Sequence, residues 1–244
     1  MRKQKQYVRG AVMNSRPDLQ IDFCKSDAAR YAVMNWHYSK RMPVFKTVKF
    51  GIWESGRFVG AVIFGCGGTP QIGSPYGLSQ VEVCELVRVA LTRHAAPVTK
   101  IVAVCIRKLK KTNPGLRLVV SFADTNQGHV GTIYQAGNWI YTGTLMHHIY
   151  VVKGVKTHPK TLHSRYGKGG QSIPWLRSNI DPKAERRKTI GKHKYLMPFD
   201  NDMRQQIEPL RKPYPKCVRS DTGDTPSVQD GKGGSIPTRT LSDE

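Results

Sequence analysis

The alternation of apolar and polar positions divides the chain into short, distinct elements. In "KSDAARYAVMNWHY" Ala29, Ala32, Val33 and Trp36 recur at helical spacing, and Ser26 or Asp27 stands where a helix cap belongs. The pattern predicts a helix that hands His37 and Tyr38 to the following loop. "KFGIWESGRFVGAVIFG" reads as two strands joined at Ser55-Gly56, a pair suited to a tight hairpin turn. "TPQIGSPYG" reads as a loop rich in Gly and Pro. In "VEVCELVRVAL" strict alternation puts Val81, Val83, Glu85, Val87 and Val89 on one face, and Glu82, Cys84, Leu86, Arg88 and Ala90 on the other. Glu85 then breaks an apolar face, so it opens into a cleft or has a partner.

"APVTKIVAVCIRKLKKTNPG" predicts a helix with Pro97 in its first turn and Val98, Ile101, Val102, Cys105 and Leu109 as its buried stripe. Its far end is basic, and Asn113, Pro114 and Gly115 stop it. "LRLVVSFAD" is an apolar strand of the kind buried on both faces, ending in Asp124-Thr125-Asn126. "GHVGTIYQAGN" reads as a short helix with Gly137 near its C-cap, and "WIYTGTLMHHIYVVKG" as two strand pieces. A helix between two strands implies a parallel pair within a mixed sheet, hence an α/β class.

Texture sets the expected divisions. Residues 1–20 show no periodicity and read as a flexible basic arm, and residues 21–152 hold the patterned elements of the main domain. Residues 153–216 carry 16 basic and 5 acidic residues, with Tyr166, Trp175, Tyr195, Phe199 and Tyr214 among them. That mix suits phosphate contacts and base stacking, so it reads as a basic nucleic-acid-binding extension packed on the domain. Gly, Ser, Thr, Pro and Asp dominate residues 217–244, and a disordered tail is expected.

Charge decides the partner class. The 244 residues include 39 Lys and Arg against 17 Asp and Glu, a net charge of +22. The last 28 hold 3 basic and 5 acidic residues, so residues 1–216 carry 36 against 12. A compact domain that basic repels itself without a polyanion, and nucleic acid is the expected partner. Candidate contacts are Ser39, Lys40 and Arg41, the helix end Arg107, Lys108, Lys110 and Lys111, and Arg165, Tyr166 and Lys168 in "HSRYGKGGQ". No run of 18 apolar residues spans a membrane, and no apolar segment follows the basic N-terminus, so a cytoplasmic location is expected. Five cysteines without a Cys-x-x-Cys suggest neither a zinc knuckle nor a disulfide framework.

The element order is similar to that of the GNAT acyltransferases. More specifically, "SDAARYAVMNWHYSK", "CELVRVAL", "SFADTNQGHVGTIYQAGNWIYTG" and "HSRYGKGG" resemble the Mom family of bacteriophage DNA-modification proteins, from about Phe23 to about Trp175. The resemblance implies conversion of the exocyclic amine of adenine in DNA to a carbamoylmethyl derivative, which shields phage DNA from restriction. It also implies active-site positions at His37, Tyr38, Asp124 and Tyr134. Arg88 falls where a cation binding donor or substrate is expected.

One departure bears on the donor. GNAT enzymes follow the central strand with a glycine-rich turn whose backbone N–H groups hold the pyrophosphate of coenzyme A. Here the stretch is "LTRHAAPVTK", with no glycine, and Pro97 lacks an N–H. Arg93 and Lys100 could still assist an anion there. The expected donor is therefore an aminoacyl-tRNA, most simply glycyl-tRNA, with acetyl-CoA as the alternative.

The amine of adenine is a poor nucleophile, so transfer to it needs orientation, proton removal and oxyanion stabilisation. Within a duplex the base must be flipped into a pocket, for which Trp36, Tyr38, Tyr134 and Trp139 are candidates. His37 is the candidate base near neutral pH, Tyr38 an oxyanion donor or general acid, and Glu85 a second base. Asp124 could accept from N6, orient His37, or cap the turn that follows it. Asn126 could contact the adenine edge or the donor. The spacing of His37, Tyr38 and Asp124 is not diagnostic of a metal site. The alternatives are an acyltransferase acting on RNA or on a protein, and a non-enzymatic nucleic-acid-binding module.

Overall fold

The computed structural model describes residues 18–216. The arm expected over 1–20, apart from its last residues, and the tail expected over 217–244 lie outside the described residues.

The described residues open with a short strand, β1 (Leu19–Phe23), which overlaps the end of the expected arm; five residues carry too little pattern to announce it. Helix α1 (Ser26–Trp36) follows, burying Ala29, Ala32 and Val33. Its N-cap is Lys25, with no side-chain cap bond, so neither Ser26 nor Asp27 caps it. Asp27 instead lies in the first turn, where a carboxylate suits the helix dipole. Strands β2 (Thr47–Glu54) and β3 (Arg57–Gly65) form the expected hairpin. Ser55 and Gly56 both take left-handed φ angles, 49° and 77°, as a two-residue turn of this twist requires. The Gly- and Pro-rich stretch after it includes a 3₁₀ turn, Pro70–Tyr76, which buries Ile72 and Tyr76.

Strand β4 (Val83–Leu91), helix α2 (Val98–Thr112) and strand β5 (Leu118–Asp124) form the expected parallel crossover. Helix α3 (Thr132–Ala136) leads into β6 (Ile140–Val152), one strand of 13 residues where two pieces are expected; β7 (Val155–Thr157) turns back on its end. Helices α4 (Pro159–Tyr166) and α5 (Ile173–Asn179) precede β8 (Glu185–Pro198), and α6 (Asn201–Ile207) closes the described chain.

Among the described residues eight strands make one mixed sheet, in the order β1-β2-β3-β4-β5-β8-β6-β7, with β4 and β5 its parallel pair and an α/β class as expected. The position of β8 alters the domain picture drawn from texture. It lies between β5 and β6, pairing with both, so residues 153–216 supply an interior strand of the sheet as well as a lobe beside it. Helix α2 covers one face through Ile101, Val102, Cys105 and Leu109, packed with Phe64, Cys84, Leu86 and Val119. Helix α1 covers part of the other, over Ala61, Ile63 and Ala90. A satellite core of Tyr150, Val152, Leu162, Leu176 and Ala184 holds the lobe of α4 and α5 to the end of β6.

Candidate active site

The parallel pair opens where its ladder stops. β4 and β5 are in register from Val83↔Leu118 to Leu86↔Ser121, and beyond that β4 runs on to Leu91 and β5 to Asp124 without pairing to each other. The Ser121 hydroxyl closes the fork, donating to the Leu86 carbonyl at 2.9 Å and lying 2.8 Å from the Tyr134 hydroxyl. A crevice at the carboxyl ends of parallel strands is where ligands bind in open α/β sheets.

A bulge decides which side chains face it. Phe64 of β3 pairs with Leu86, but Ile63 pairs with Arg88, leaving Val87 as an extra residue in β4. Strict alternation would put Glu85 and Arg88 on opposite faces; the bulge brings both to the face that α1 covers. Phe122 and Asp124 of β5 share that face, as do their β8 partners Lys194 and Lys192. The result is a charged, partly open strip of sheet beside the end of α1.

His37 and Tyr38 arrive from that helix end. His37 is buried, at 9% exposure. The backbone N–H of Ser39 donates to its Nδ1 at 3.1 Å, and the Ser39 hydroxyl sits 2.8 Å from the same atom. An N–H can only donate, so Nδ1 is the acceptor and the ring proton resides on Nε2. Burial, with the positive charge of Arg88 behind it, lowers the His37 pKa to about 3. The imidazole is therefore neutral at physiological pH and offers a donor, which corrects its reading as a base near neutrality. Ser39, expected at nucleic acid, holds that ring, and Asp124 does not. Tyr38 is 47% exposed and lies beside the His37 ring, 4.4 Å between centroids. Desolvation and then the Asp124 charge push its phenol up, against Arg88.

Glu85 is the carboxyl of the strip. Desolvation raises its pKa, and a backbone N–H from Gly68 at 3.3 Å, Lys192 and Arg88 offset only part of this. Arg88 itself donates to the carbonyls of Val87 and Arg41, at 2.8 and 3.4 Å. Asp124 accepts from the Asn126 N–H at 3.0 Å, so it does cap the turn after β5 while standing next to Tyr38. Asn126 is exposed at the rim. Tyr134 lies on the far side of the fork, buried, its phenol pushed up to about 12 chiefly by desolvation. Trp139 is core, packed against Tyr134, and Trp36 packs on Phe58 beneath α1, so neither lines the pocket expected of them. His129, which stacks edge-on to Tyr38 at 5.3 Å, and Lys192 belong to the site and were not anticipated.

The expected nucleic-acid contacts divide. Helix α2 runs back along the sheet, which carries its basic end to the edge opposite Asp124. There Lys108 pairs with Asp22 at 3.2 Å, and Lys110 donates to the carbonyl of Pro114 while lying over Phe199. Those two cations serve the fold; Arg107 and Lys111 are exposed. Lys40 donates to the Asn35 carbonyl at the end of α1, and Arg41 is exposed beside the site. Arg165 and Lys168 are exposed on the lobe, with Arg165 over the half-buried Tyr166 ring.

The turn that leads into α2 is held by the chain itself. The Glu54 carboxylate accepts from Ala95 N–H at 2.8 Å and from Ala96 N–H at 2.7 Å, and it is buried. Two backbone donors of the turn that precedes α2 are thus taken by an anion of the protein. Arg93 and Lys100 lie exposed around that turn. Among the described residues no group of three or more His, Cys, Asp or Glu is placed to hold a metal ion.

A profile of the Mom protein family matches residues 18–216, all of the described chain. The chain belongs to the Mom protein family. It is similar to the methylcarbamoylase mom of Escherichia phage Mu, with 23% identity over 208 residues, 82% of this chain and 84% of that protein. It also overlays on a candidate acetyltransferase from Acinetobacter baylyi ADP1 at 13% identity and a TM-score of 0.43, covering 77% of this chain and 96% of the other. That likeness is too distant to bear on the site. Within the Mom family match lie the His37-Tyr38 pair, the bulged "ELVR" strand and Asp124, which the fold gathers at one fork. No helix among the described residues of this Mom protein is long and apolar enough to cross a membrane.

Proposed function

We propose that this chain is a DNA-modifying transferase that places a carbamoylmethyl group on N6 of adenine, acting on a base flipped out of duplex DNA. Membership of the Mom family supports the reaction class, and one observation supports the site: Glu85, Arg88, Asp124, His37 and Tyr38 meet at the fork between β4 and β5. Roles follow from the state of each group. Neutral His37 presents Nε2–H, and Tyr38 a protonated phenol, to the oxyanion that forms when N6 adds to an ester carbonyl. Glu85, with its raised pKa, takes the proton that N6 loses. Arg88 offsets the negative charge that develops. Tyr38 and His129 give the flipped base an aromatic edge to lie against.

The donor we propose is glycyl-tRNA. N6 adds to the glycyl ester carbonyl, the bond to the ribose oxygen breaks, and that oxygen takes up a proton. The product is an N6-glycyl amide with a free amine. That amine then adds at C6, and the original nitrogen leaves C6 still bonded to the carbonyl. What remains is C6–NH–CH₂–CO–NH₂, balanced without oxidant or reductant. The carboxylate of Glu54 on Ala95 and Ala96, in the turn before α2, supports a donor other than coenzyme A.

The test is direct. DNA from cells expressing the protein is hydrolysed to nucleosides and the deoxyadenosine fraction weighed. A gain of C₂H₃NO on part of it is expected. Unmodified adenine beside modified RNA or protein would replace this reading with the RNA- or protein-directed one.

A further inference from the structure

Beyond the fork, β6 and β8 continue as a two-stranded ribbon. β5 pairs with β8 only from Lys192 to Pro198, so from Glu185 to Ile190 β8 is paired with β6 alone among the described residues. The ribbon starts at the site: Asp124 is in register with Lys192, and the Thr125 hydroxyl donates to the Gly191 carbonyl. Ile190 is two residues further on, about 7 Å along the strand.

At that point the ribbon exposes large apolar side chains. Ile190 is 58% exposed and Met146, its cross-strand partner, 48%; neighbouring Leu145 is 44% exposed. The register shifts there: β8 carries one residue more than β6 between His193 and Ile190. This bulge increases the ribbon's twist and leaves Leu145 on the face of Lys192 and the Met146–Ile190 pair on the other, so the ribbon is apolar on both sides at this point. Just beyond lies the run Arg186-Arg187-Lys188, with Lys188 opposite His148. Glu185 is the one acid in β8, and it is paired with Arg187. An apolar pair on a free strand edge is an aggregation hazard unless it has an occupant. The cations around it select a polyanion.

We infer that Met146 and Ile190 form a wedge that enters a groove of duplex DNA and unstacks it next to the adenine to be modified. This rests on the reading of the protein as a DNA adenine transferase. Proteins that insert Ile, Leu or Met between base steps kink the duplex, and the opened step eases extrusion of a base. Cations on the same ribbon hold the flanking phosphates while the wedge sits about one to two base steps from the fork.

The experiment relaxes closed circular plasmid with topoisomerase in the presence of the full-length protein. Wild type should shift the topoisomer distribution. Met146→Ser with Ile190→Ser should bind with an unchanged salt slope, lose the shift, and modify adenine at least tenfold more slowly. Met146→Leu with Ile190→Leu keeps an apolar wedge and should restore both. Three results would overturn the wedge: a serine variant that still shifts topology, a wild type that modifies adenine without any shift, or serine substitutions whose effect is to turn a dimer into a monomer in light scattering. A wild type that shifts topology but modifies no adenine would leave the wedge standing and remove the transferase reading instead.

Discussion

The backbone N–H of Ser39 lies 3.1 Å from Nδ1 of His37, two residues earlier in the chain. This bond fixes the imidazole as the Nε2–H tautomer, and burial beside Arg88 keeps it neutral. The unfolded chain binds a proton at His37 below its ordinary pKa, whereas the folded chain does so only near pH 3. Between those values the unfolded state holds more protons, so stability falls as pH falls. Going from about pH 7 to about pH 5 should remove about 2 kcal/mol through this residue. Denaturant titrations at both pH values check it: His37→Gln should flatten the difference. The same variant keeps a side-chain donor and should retain more activity than His37→Ala, for which a loss of about 100-fold or more is expected. An activity profile with a His37-dependent inflection near pH 6.5, absent in His37→Gln, would restore the base role.

Asp124 has two duties that one substitution can separate. Asparagine caps a turn nearly as well as aspartate but carries no charge. Asp124→Asn should therefore fold within about 0.5 kcal/mol of wild type, while Asp124→Ala should lose about 1 kcal/mol by thermal or chemical unfolding. If the carboxylate beside Tyr38 takes part in the reaction, both variants lose modification. An active Asp124→Asn protein would show that capping is the residue's whole contribution.

DNA binding should be strongly salt-dependent, because residues 153–216 carry 16 basic residues against 5 acidic and most of those cations are exposed. Each phosphate neutralised contributes about −0.9 to the log–log slope. Arg165→Ala and Lys168→Ala on the lobe should each flatten that slope by about 1, if each meets one phosphate. Lys108→Ala and Lys110→Ala should change stability and leave the slope alone, since those side chains are engaged by Asp22 and by the Pro114 carbonyl. Affinity measured by anisotropy across a salt series distinguishes the two groups.

What was legible in the sequence was local. Helical spacing placed α1, and with it His37 and Tyr38 at a helix end. The Ser55-Gly56 turn fixed the hairpin, and the apolar run of β5 delivered Asp124 to a strand end. What was hidden depends on pairing between distant segments. Nothing within "ELVR" reveals that Val87 is a bulge; only its register against Ile63 and Phe64 does, and that register puts Glu85 and Arg88 on one face. Likewise "KAERRKTIGKHKY" reads as a basic loop, because a strand rich in Arg and Lys lacks the apolar period that marks burial. Its insertion between β5 and β6 brings Lys192 to the site. His129 sits in a turn without periodicity and reaches Tyr38 only through the fold. The His-x-Ser contact was within reach of sequence reasoning, since a Ser two residues on can meet a His ring.

The last prediction follows the nitrogen atoms of the donor. In the proposed route the amine nitrogen of glycine ends bonded to C6, and the original adenine N6 ends as the terminal carboxamide. Direct alkylation of N6 would leave N6 on the ring and put the donor's nitrogen, if any, in the amide. Purified protein, duplex DNA and glycyl-tRNA labelled at the glycine nitrogen should therefore yield a modified base with the label next to the ring. Mild hydrolysis of the carboxamide should release unlabelled ammonia and leave a labelled carboxymethyl adenine. The reaction should proceed without coenzyme A, as the Glu54 carboxylate on Ala95 and Ala96 leaves no free backbone donors from those two residues for its pyrophosphate. Label found in the released ammonia would discard the rearrangement while keeping glycine as the source. Label that never reaches the base, with carbon entering from acetyl-CoA instead, would discard the donor altogether.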